Sequence, residues 1–400
     1  MTLRVGVIGA GVVGCCIALA LRKRGAAVTL IDREEPGSGC SFGNSGALSP
    51  GSVAPLAMPG VLATVPGMLA SADSPLYLPW TYLPRALPWL VRFVASSSSA
   101  KVQATAARLA ALHAHSIERH ESLAEEAGVA GLFLKQGHLH LYRDAASLEK
   151  DRGAWRLREQ HGYRAERLDR AGVLALEPNI GERYSIGMLL ADHATITDPF
   201  RYVQAIARRY VALGGQLVRA RVDRIAANGP LWHVETTDAV HPVDAVVVAA
   251  GAWSARLLRP LGVRLSLESQ RGYHVQFDGG RDLISRTVVL TDRKAFLAPM
   301  QEGLRIGGNV EIAGLDRAPD SRRSDLLERI ARETFPALAE RPARSWMGHR
   351  PCMPDSVPFV GPAPGRPGVW IATGHGHLGL TDSVNTAEQI SEALLGPRSD

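Results

Sequence analysis

A glycine-rich motif near the N-terminus has the spacing that binds a dinucleotide. The motif, G-x-G-x-x-G, consists of Gly9, Ala10, Gly11, Val12, Val13 and Gly14. In such motifs the first glycine permits a tight turn, the second lets the backbone approach a diphosphate, and the third lets helix and strand pack closely. Asp32 stands 21 residues after Gly11 and can accept hydrogen bonds from a ribose diol. These residues predict a dinucleotide site.

The elements that would position this motif form a βαβ unit. A short apolar strand covers 5–8, an apolar helix follows it, and a second strand covers 28–31. Residues 36–52 contain too many glycines, serines and prolines for a regular element, and such a loop offers N–H groups and hydroxyls near a diphosphate. Residues 244–251 are an apolar run that enters a glycine turn, as buried strands of a parallel sheet do. The chain therefore returns to the nucleotide-binding domain there.

The remaining segments show helix and strand patterns. Helices are predicted at 101–127, as one amphipathic helix, at 199–213 and at 386–395. Strands are predicted at 136–142, 216–222, 231–236 and 368–374, and a second sheet within 264–315. His138 and His140 lie on one face of their strand. Because no third ligand is near them, these two histidines predict packing rather than a metal site.

The composition is that of a globular chain with two or three domains. The 400 residues are 46% hydrophobic and 21% charged, with a formal net charge of +6. The basic residues are scattered, so we expect no nucleic-acid partner. The four cysteines lack metal-ligand spacing and indicate a reducing compartment. The early glycines argue against a signal peptide, and no unbroken apolar stretch is long enough to span a bilayer.

The motifs together resemble the flavin-dependent D-amino-acid oxidase and dehydrogenase superfamily, which includes glycine and sarcosine oxidases. The resemblance covers essentially the whole chain. It is carried by the N-terminal motif with Asp32, by 41–46 (SFGNSG), by 246–251, by 348–358 (GHRPCMPDSVP) and by 374–381 (GHGHLGLT). The sequence is most similar to bacterial D-amino-acid dehydrogenases, including those that act on D-proline and hydroxy-D-proline. Residues 268–274 favour the cyclic substrates.

The resemblance implies FAD, bound noncovalently. The glycine motif would hold the diphosphate, with Asp32 and its neighbour Arg33 at the adenosine ribose. Val222 would contact adenine. The turn that begins at Gly374 would lie beside the isoalloxazine ring, where N–H groups at a helix start stabilise negative charge. The other cofactor residues implied are Ser41, Asn44, Ser45, Gly46, Ala47, Ala250, Gly251, Gly376, His377, Leu378, Gly379 and Thr381. Cys352 is displaced from the position at which some relatives attach flavin covalently.

The resemblance also implies the substrate residues. Arg350 matches the arginine with which relatives clamp a carboxylate, since a guanidinium makes two parallel charge-assisted hydrogen bonds with that group. Tyr273 would bond the same carboxylate or line the pocket, and the alternative is a tyrosine packed in the core. His375 would adjust the protonation of flavin or amine, or cap the last helix. The reaction expected is hydride transfer from the α-carbon to flavin N5, which demands no protein base.

The implied fold is α/β, with a Rossmann-like FAD-binding domain interleaved with an α+β substrate domain on a mixed or antiparallel sheet. The FAD-binding domain would comprise residues 1–50, 190–260 and 345–400. The substrate domain would comprise residues 51–189 and 261–344. Both domains are therefore discontinuous in the chain.

Several alternatives stay open on the residues alone. The N-terminal motif does not by itself separate NAD from FAD, and a glycine- or sarcosine-type oxidase would use O2 where a dehydrogenase uses another acceptor. One branch of the superfamily modifies tRNA, which the missing basic stripe disfavours. Residues 50–95, with Trp80 and Trp89, either cover a pocket or rest on a membrane where quinone accepts electrons. We expect a cytoplasmic enzyme, or one peripheral on the inner face of the cell membrane.

Overall fold

The strands of the computed structural model, which describes residues 2–60 and 74–397, form a six-stranded, a ten-stranded and two three-stranded sheets. In chain order the described strands are β1 (Arg4–Ile8), β2 (Ala27–Asp32), β3 (Ala47–Leu48), β4 (Leu76–Tyr77), β5 (Phe133–Leu134), β6 (His138–Tyr142), β7 (Glu166–Leu168), β8 (Ile186–Leu190), β9 (Ala194–Ile196), β10 (Gln216–Arg219), β11 (Val222–Asn228), β12 (Leu231–Thr236), β13 (Val240–Val243), β14 (Ala245–Val248), β15 (Glu268–Asp278), β16 (Thr287–Leu290), β17 (Ala295–Met300), β18 (Gly303–Gly307), β19 (Val310–Ile312), β20 (Ala343–Cys352), β21 (Phe359–Pro362) and β22 (Val369–Thr373). The described α-helices are α1 (Val12–Lys23), α2 (Leu83–Ala95), α3 (Ser99–His113), α4 (Ser116–Glu126), α5 (Ala145–Lys150), α6 (Arg152–Gln160), α7 (Arg170–Leu176), α8 (Pro199–Ala212), α9 (Ser254–Leu258), α10 (Ser321–Thr334) and α11 (Gly379–Leu395).

The six-stranded sheet has the order β10-β2-β1-β14-β22-β21, and its neighbours are parallel except for β21 and β22. Its central strands β1, β14 and β22 are rich in valine and isoleucine, and most of their residues are buried, as a covered parallel sheet requires. Helices α1, α8 and α11 cover one face. The small antiparallel sheet β11-β12-β13 covers the other. The Rossmann-like arrangement predicted from the βαβ start is confirmed.

The ten-stranded sheet is mixed and follows the order β4-β19-β15-β18-β17-β16-β6-β8-β7, with β20 on the other side of β15. β15 has 11 residues, and β20 pairs with it along nearly its whole length. Residues 273, 275 and 277 of β15 pack in a hydrophobic core with α10. Because side chains alternate along a strand, residues 270, 272, 274 and 276 project from the opposite face. That face meets the loop after β2, since His274 donates through Nδ1 to the carbonyl oxygen of Gly43 at 3.1 Å.

Three predicted elements differ in the structure. Residues 101–127 form two helices, α3 and α4, because the chain turns at His115 (φ 57°) and Asn385 donates hydrogen bonds to two carbonyls of that turn. The last helix begins at Gly379 instead of Thr386. The predicted strand 216–222 is divided between β10 and β11, which belong to different sheets.

The predicted domain boundary at residue 345 falls inside β20, whose ten residues all pair with β15. A substrate domain built on the large sheet would therefore extend to Cys352. The other boundaries stay predictions. Within residues 2–60 and 74–397, no helix combines the length and the apolar character that crossing a bilayer requires.

Candidate cofactor and substrate site

A cavity of about 390 Å³ opens where β1, β2, β14 and β22 end. Parallel strands present their carboxyl ends at one edge of a sheet, and ligands of such sheets bind at that edge. The structure brings many of the predicted residues into the wall of this cavity. These are Gly9, Ala10, Gly11, Val12, Val13, Asp32, Arg33, Ser41, Asn44, Val222, Ala250, Gly251, His375, Gly376 and Gly379.

The glycines of the N-terminal motif have different surroundings. A Cβ on Gly9 would lie 2.4 Å from the carbonyl oxygen of Ala249, and one on Gly14 would lie 1.8 Å from the carbonyl oxygen of Gly9. These two glycines are required by the packing of the protein itself. Among the atoms of residues 2–60 and 74–397, a Cβ on Gly11 would meet only Ser41 Oγ, at 3.5 Å, and would otherwise project into open space. The space above Gly11 is what a closely approaching diphosphate needs, so the turn fits a dinucleotide.

The N-terminus of α1 faces the cavity without an acidic residue in its first turn and without a side-chain cap from Gly11. Among the described side chains, only that of Ser41 bonds this end of the helix. The N–H of Val12 donates to Ser41 Oγ at 3.0 Å. The aligned peptide dipoles place positive charge at this end, which favours an anion. The helix start is therefore suited to a phosphate group.

Asp32 lies at the end of β2 and holds the glycine turn in place. Its Oδ2 accepts a hydrogen bond from the N–H of Ala10 at 2.6 Å, and its Oδ1 accepts one from the N–H of Glu34 at 3.0 Å. A carboxylate oxygen has two lone pairs, so acceptor capacity remains for a ribose diol. Arg33 turns aside and stacks over the ring of Trp253, with 4.7 Å from Cζ to the ring centroid.

Trp253 and His349 also line the cavity, and our sequence reasoning missed both. Their rings meet edge to face with centroids 5.2 Å apart. Trp253 follows the predicted glycine turn at Gly251 by two residues, and no pattern in a single sequence distinguishes it from a core tryptophan. Cys40 also lines the cavity, in the loop whose N–H groups and hydroxyls are predicted to lie near the diphosphate, but it is not among the cofactor residues predicted there.

The turn at 374–378 is held from two sides. The N–H of Gly376 donates to the carbonyl oxygen of Pro351 at 2.8 Å, which ties the turn to β20. His375 is buried, and its Nε2 lies 2.9 Å from Thr386 Oγ1 in α11. Burial lowers the pKa of His375, although the charge of Asp382 opposes this shift. The ring thus packs against the interior of α11, and no described side chain caps the start of that helix.

Several predicted cofactor residues stand outside the cavity wall and support it. They are Gly14, Ser45, Gly46, Ala47, Gly374, His377, Leu378 and Thr381. Thr381 Oγ1 accepts a hydrogen bond from the N–H of Ser49 at 3.0 Å, and the N–H of Gly46 donates to Asn44 Oδ1 at 2.8 Å. The first of these contacts joins the loop at 41–49 to the start of α11, and the second lies within the loop.

Arg350 lies on β20, and its guanidinium extends over Gly272 of the neighbouring strand. A Cβ on Gly272 would lie 2.1 Å from Arg350 Cζ, so only glycine leaves room for the guanidinium. Arg350 Nη1 donates to the carbonyl oxygen of Asn309 at 3.0 Å. Burial lowers the pKa of Arg350. Within the described ranges 2–60 and 74–397, no carboxylate forms an ion pair with this arginine.

The guanidinium of Arg350 lies near the turn at 374–378. Burial, followed by the positive charge of Arg350, lowers the pKa of His377 in that turn to about 4. His377 is therefore neutral near pH 7. On the same sheet face, Arg305 donates to the carbonyl oxygens of Phe42 and Asn44 at 3.1 and 2.6 Å. This contact, which the sequence did not predict, fixes the loop at 41–49 against the face of the ten-stranded sheet that carries Arg350.

Of the two roles expected for Tyr273, its position fits the tyrosine packed in the core better than the substrate role beside Arg350. Tyr273 projects from the opposite face of β15, where it is buried in the core with α10. Its hydroxyl donates to Glu311 Oε2 at 2.5 Å and accepts from the N–H of Asp320 at 2.9 Å. Glu311 is itself paired with Arg271 at 3.3 Å. Strand alternation explains this placement, because adjacent residues 272 and 273 project from opposite faces of β15.

The other predicted features lie away from this site. Among the described residues, His138 belongs to no group of three metal-binding side chains, and its Nε2 donates to the carbonyl oxygen of Ala194 at 2.8 Å. Trp89 is buried and donates through Nε1 to the carbonyl oxygen of Cys352 at 3.0 Å. Trp80 is 81% exposed. Part of the predicted lid or membrane patch at 50–95, residues 61–73, lies outside the described residues.

Comparison with known proteins gives matches over the whole chain. The family described as "DAO: FAD dependent oxidoreductase" matches residues 4–393. A D-amino-acid oxidase of Bradyrhizobium diazoefficiens is 38% identical, over 99% of this chain and 96% of the relative. D-amino acid dehydrogenase 2 of Ralstonia nicotianae is 34% identical, over 98% of this chain and 96% of the relative.

Two solved structures show the same fold at low identity. Glycine oxidase from Geobacillus kaustophilus has a TM-score of 0.77 at 22% identity, over 100% of this chain and 96% of that chain. L-Proline dehydrogenase from P. horikoshii has a TM-score of 0.74 at 20% identity, over 98% of this chain and 93% of that chain. These two likenesses concern the arrangement of the sheets and helices.

Proposed function

Because the chain belongs to the DAO family of FAD-dependent oxidoreductases, we propose that it oxidises a D-amino acid whose α-carboxylate is bound by Arg350. The observation that carries this proposal is the state of the Arg350 guanidinium. The residue is partly buried, and its guanidinium donates one hydrogen bond to the carbonyl oxygen of Asn309. It pairs with no carboxylate of the described residues. A desolvated cation is costly until an anion compensates it, and a carboxylate offers two acceptors to the guanidinium fork.

FAD would bind in the cavity at the edge of the parallel sheet. The open space at Gly11 and the N-terminus of α1, with Ser41 beside it, would receive the diphosphate, and Asp32 the adenosine ribose. The turn at 374–378 would lie at the isoalloxazine ring. When bound, FAD supplies a two-electron acceptor whose N5 takes the α-hydrogen of the substrate as a hydride.

The protein's part in the reaction is orientation. Arg350 would fix the carboxylate, and the sheet face around Gly272 would exclude water from the α-carbon. Loss of a hydride from the α-carbon of the neutral amine leaves an iminium ion. This ion gives a proton to water and becomes an imine, which water converts to a keto acid and ammonia. No buried carboxylate or charged histidine of the described residues is needed as a base for this step, since positioning of the reacting atoms provides much of the rate.

The D configuration is proposed from the relatives that are named D-amino-acid oxidase and D-amino acid dehydrogenase. D-Proline and cis-4-hydroxy-D-proline are the substrates we favour within that class, because residues 268–274 resemble those of enzymes acting on cyclic substrates. With either one the imine remains in the ring. The alternative is a glycine- or sarcosine-type oxidase that reoxidises its flavin with O2.

The test is anaerobic reduction of the purified holoenzyme by a substrate panel. The panel contains D-amino acids, D-proline, cis-4-hydroxy-D-proline, glycine and sarcosine, with the L-isomers as controls. We expect a D-isomer to bleach the oxidised-flavin absorbance at about 450 nm, whichever acceptor the enzyme uses. Arg350→Ala should abolish bleaching at the same substrate concentration. Arg344→Ala, which removes an arginine on the same strand with a 65% exposed side chain, should not.

Each outcome of this test decides something. Bleaching by a D-isomer that depends on Arg350 names the substrate. Bleaching by glycine or sarcosine alone selects the alternative. A flavin that no amino acid reduces overturns the substrate class, and equal reduction of Arg350→Ala and wild type overturns the role of Arg350.

For the acceptor, we propose a quinone in an anionic membrane surface on which α2 rests. Trp80, Leu87 and Val91 are exposed on α2 and the turn before it. Arg85 and Arg92 are exposed on the same helix and would face anionic headgroups. An apolar helix face flanked by arginines is the pattern of a helix that lies in a membrane interface.

A further inference from the structure

A fully buried ion pair lies behind the turn at 374–378. His113 is the last residue of α3 and Asp382 belongs to the first turn of α11; His113 Nε2 lies 3.2 Å from Asp382 Oδ1. Their side chains are 0% and 1% exposed. The other ring nitrogen, Nδ1, donates to the carbonyl oxygen of Pro50 at 2.9 Å. His113 Nε2 and both carboxylate oxygens of Asp382 are buried and make no hydrogen bond within the described residues, so the contact between the two side chains is electrostatic. A buried carboxylate that lacks hydrogen bonds needs a nearby cation, which favours the protonated, positively charged ring of His113.

Among the charged and titratable groups around Asp382, His113 is the one that can supply its positive charge. Burial lowers the pKa of His113, but the charge of Asp382 and the two acceptors outweigh it and raise that pKa. His377, His120 and His375 also feel the charge of Asp382, yet burial lowers the pKa of each, to about 4 for His377 and His120. Among the described residues, His193 and His377 are the titratable groups besides Asp382 whose pKa depends on the charge of His113, which lowers it. Within the described residues no arginine or lysine pairs with Asp382.

The pair joins three segments that surround the turn. The N–H of Asp382 donates to the carbonyl oxygen of Leu378, the last residue of the turn, at 2.9 Å. Pro50 follows Ser49, whose N–H donates to Thr381 Oγ1. Helix α11 contributes Gly379 and Leu380 to the cavity wall. Movement of the first turn of α11 would therefore displace the cavity wall.

We propose that the His113–Asp382 ion pair positions the 374–378 turn and the first turn of α11 for FAD binding. This inference rests on the placement of FAD in the proposed function, but not on the substrate. Neither side chain lines the cavity, so both are positioning residues. Loss of the proton or of the imidazole would leave a buried, unpaired carboxylate, which the protein relieves by moving the start of α11 toward water.

The test is FAD affinity of the apoenzyme, measured by flavin fluorescence quenching, for His113→Gln, Asp382→Asn and the double variant. We expect His113→Gln to raise the Kd for FAD by at least about tenfold, because breaking a buried pair on one side leaves an uncompensated charge. The double variant has neither charge and should return to within about threefold of wild type. Such recovery is not expected from a merely space-filling role.

A pH profile gives a second readout. In the wild type the pair is intact below the raised pKa of His113 and is lost as pH rises through it, so the Kd for FAD should increase with pH. The double variant should show no such increase. If His113→Gln does not fold, the comparison of wild type with the double variant across pH still decides the question.

The matched control is the buried pair Glu177–Arg286, at 2.9 Å with side chains 1% and 11% exposed. Neither residue lines the cavity. Glu177→Gln should lower stability and leave the Kd for FAD unchanged. The proposal is overturned if His113→Gln binds FAD like wild type, if the double variant is as weak as His113→Gln, or if Glu177→Gln weakens FAD binding equally. Because no amino acid is added, failure of D-amino-acid oxidation would not affect this result.

Discussion

At the scale of residues, substitutions at the motif glycines distinguish a role in cofactor binding from a role in folding. Gly14 has a backbone oxygen where its Cβ would be, whereas Gly11 faces open space. We expect Gly11→Ala to leave the thermal denaturation of the apoenzyme nearly unchanged but to raise the Kd for FAD by about tenfold or more, since a methyl group would occupy the approach of the diphosphate. Fluorescence titration measures the Kd. Gly14→Ala, the comparison, should not fold, and an unchanged Kd for Gly11→Ala would remove the diphosphate from this turn.

A substitution of Tyr273 would show whether its side chain stabilises the fold or takes part in the reaction. Its hydroxyl is bonded to Glu311 in a buried cluster with Arg271. We expect Tyr273→Phe to lower the free energy of unfolding by about 1–3 kcal/mol, because Glu311 loses a hydrogen bond inside the protein. Urea denaturation measures this change. The rate of flavin reduction by substrate should stay within about twofold of wild type; a large fall in that rate with unchanged stability would return Tyr273 to the substrate site.

Single residues were predictable where the chemistry is local. The spacing of the glycine motif and Asp32 predicts that these residues lie together at one site, and most of them do line the cavity. Trp253, His349 and Arg305 were not predictable, because their roles depend on partners far along the chain. Arg305, for example, meets Phe42 and Asn44 across more than 260 positions.

At the scale of elements, α2 offers a prediction about membranes. Its exposed apolar residues and arginines should bind the holoenzyme to vesicles that contain anionic lipid, and added salt should weaken this binding because the headgroup attraction is screened. The triple variant Trp80→Ser, Leu87→Ser and Val91→Ser should lose most of it. Sedimentation with anionic and with neutral vesicles measures the effect.

A matched control for α2 uses apolar residues exposed elsewhere. Val211→Ser with Val240→Ser removes two side chains that are 45% and 52% exposed, outside α2. This variant should sediment with anionic vesicles as wild type does. Equal vesicle binding by wild type and the α2 variant would exclude α2 as the docking element.

The elements also show the limit of pattern reading. The period of apolar residues in 101–127 continues across the break between α3 and α4, so it predicts one helix. The break is stabilised by Asn385, which bonds the carbonyls of Leu112 and Ala114 from α11. Tertiary hydrogen bonds of this kind override local periodicity, and they cannot be read from the segment that they interrupt.

At the scale of the whole molecule, buried histidines predict acid sensitivity. Burial lowers the pKa of His120, His138 and His377 to about 4 and that of His274 to about 3. Unfolded histidines titrate at about 6.5, so below that pH the unfolded chain binds more protons than the folded one. The free energy of unfolding should therefore fall as pH decreases from about 6.5 to 5, by up to about 1.4 kcal/mol per pH unit for each such histidine.

Urea denaturation at a series of pH values measures this slope. His138→Gln removes one of the buried histidines away from the cofactor cavity and should flatten the slope by about one proton. Stability that is constant between pH 6.5 and 5 would show that these histidines are protonated in the folded protein.

The architecture as a whole was more predictable than its boundaries. The return of the chain at 244–251 and the strand at 368–374 have the composition of buried parallel strands, and both lie in the six-stranded sheet. The pairing of β20 with β15 was not predictable, because the alternation of residues along a strand does not indicate which other strand it pairs with. That pairing moves residues 343–352 to the large sheet.

The interleaved order of the six-stranded sheet has a consequence for biosynthesis. β1 is flanked by β2 and by β14, so one of its edges stays unpaired until residue 248 has been made. The cavity wall is complete only when residues 372–380 have followed. At about 5–20 residues per second, synthesis of such a chain takes about 20–80 s. For much of that time an edge of an apolar strand stays exposed on the nascent chain, so we expect chaperones to bind it during synthesis. Because the cavity wall comes from segments far apart in the sequence, we also expect that no contiguous fragment binds the cofactor.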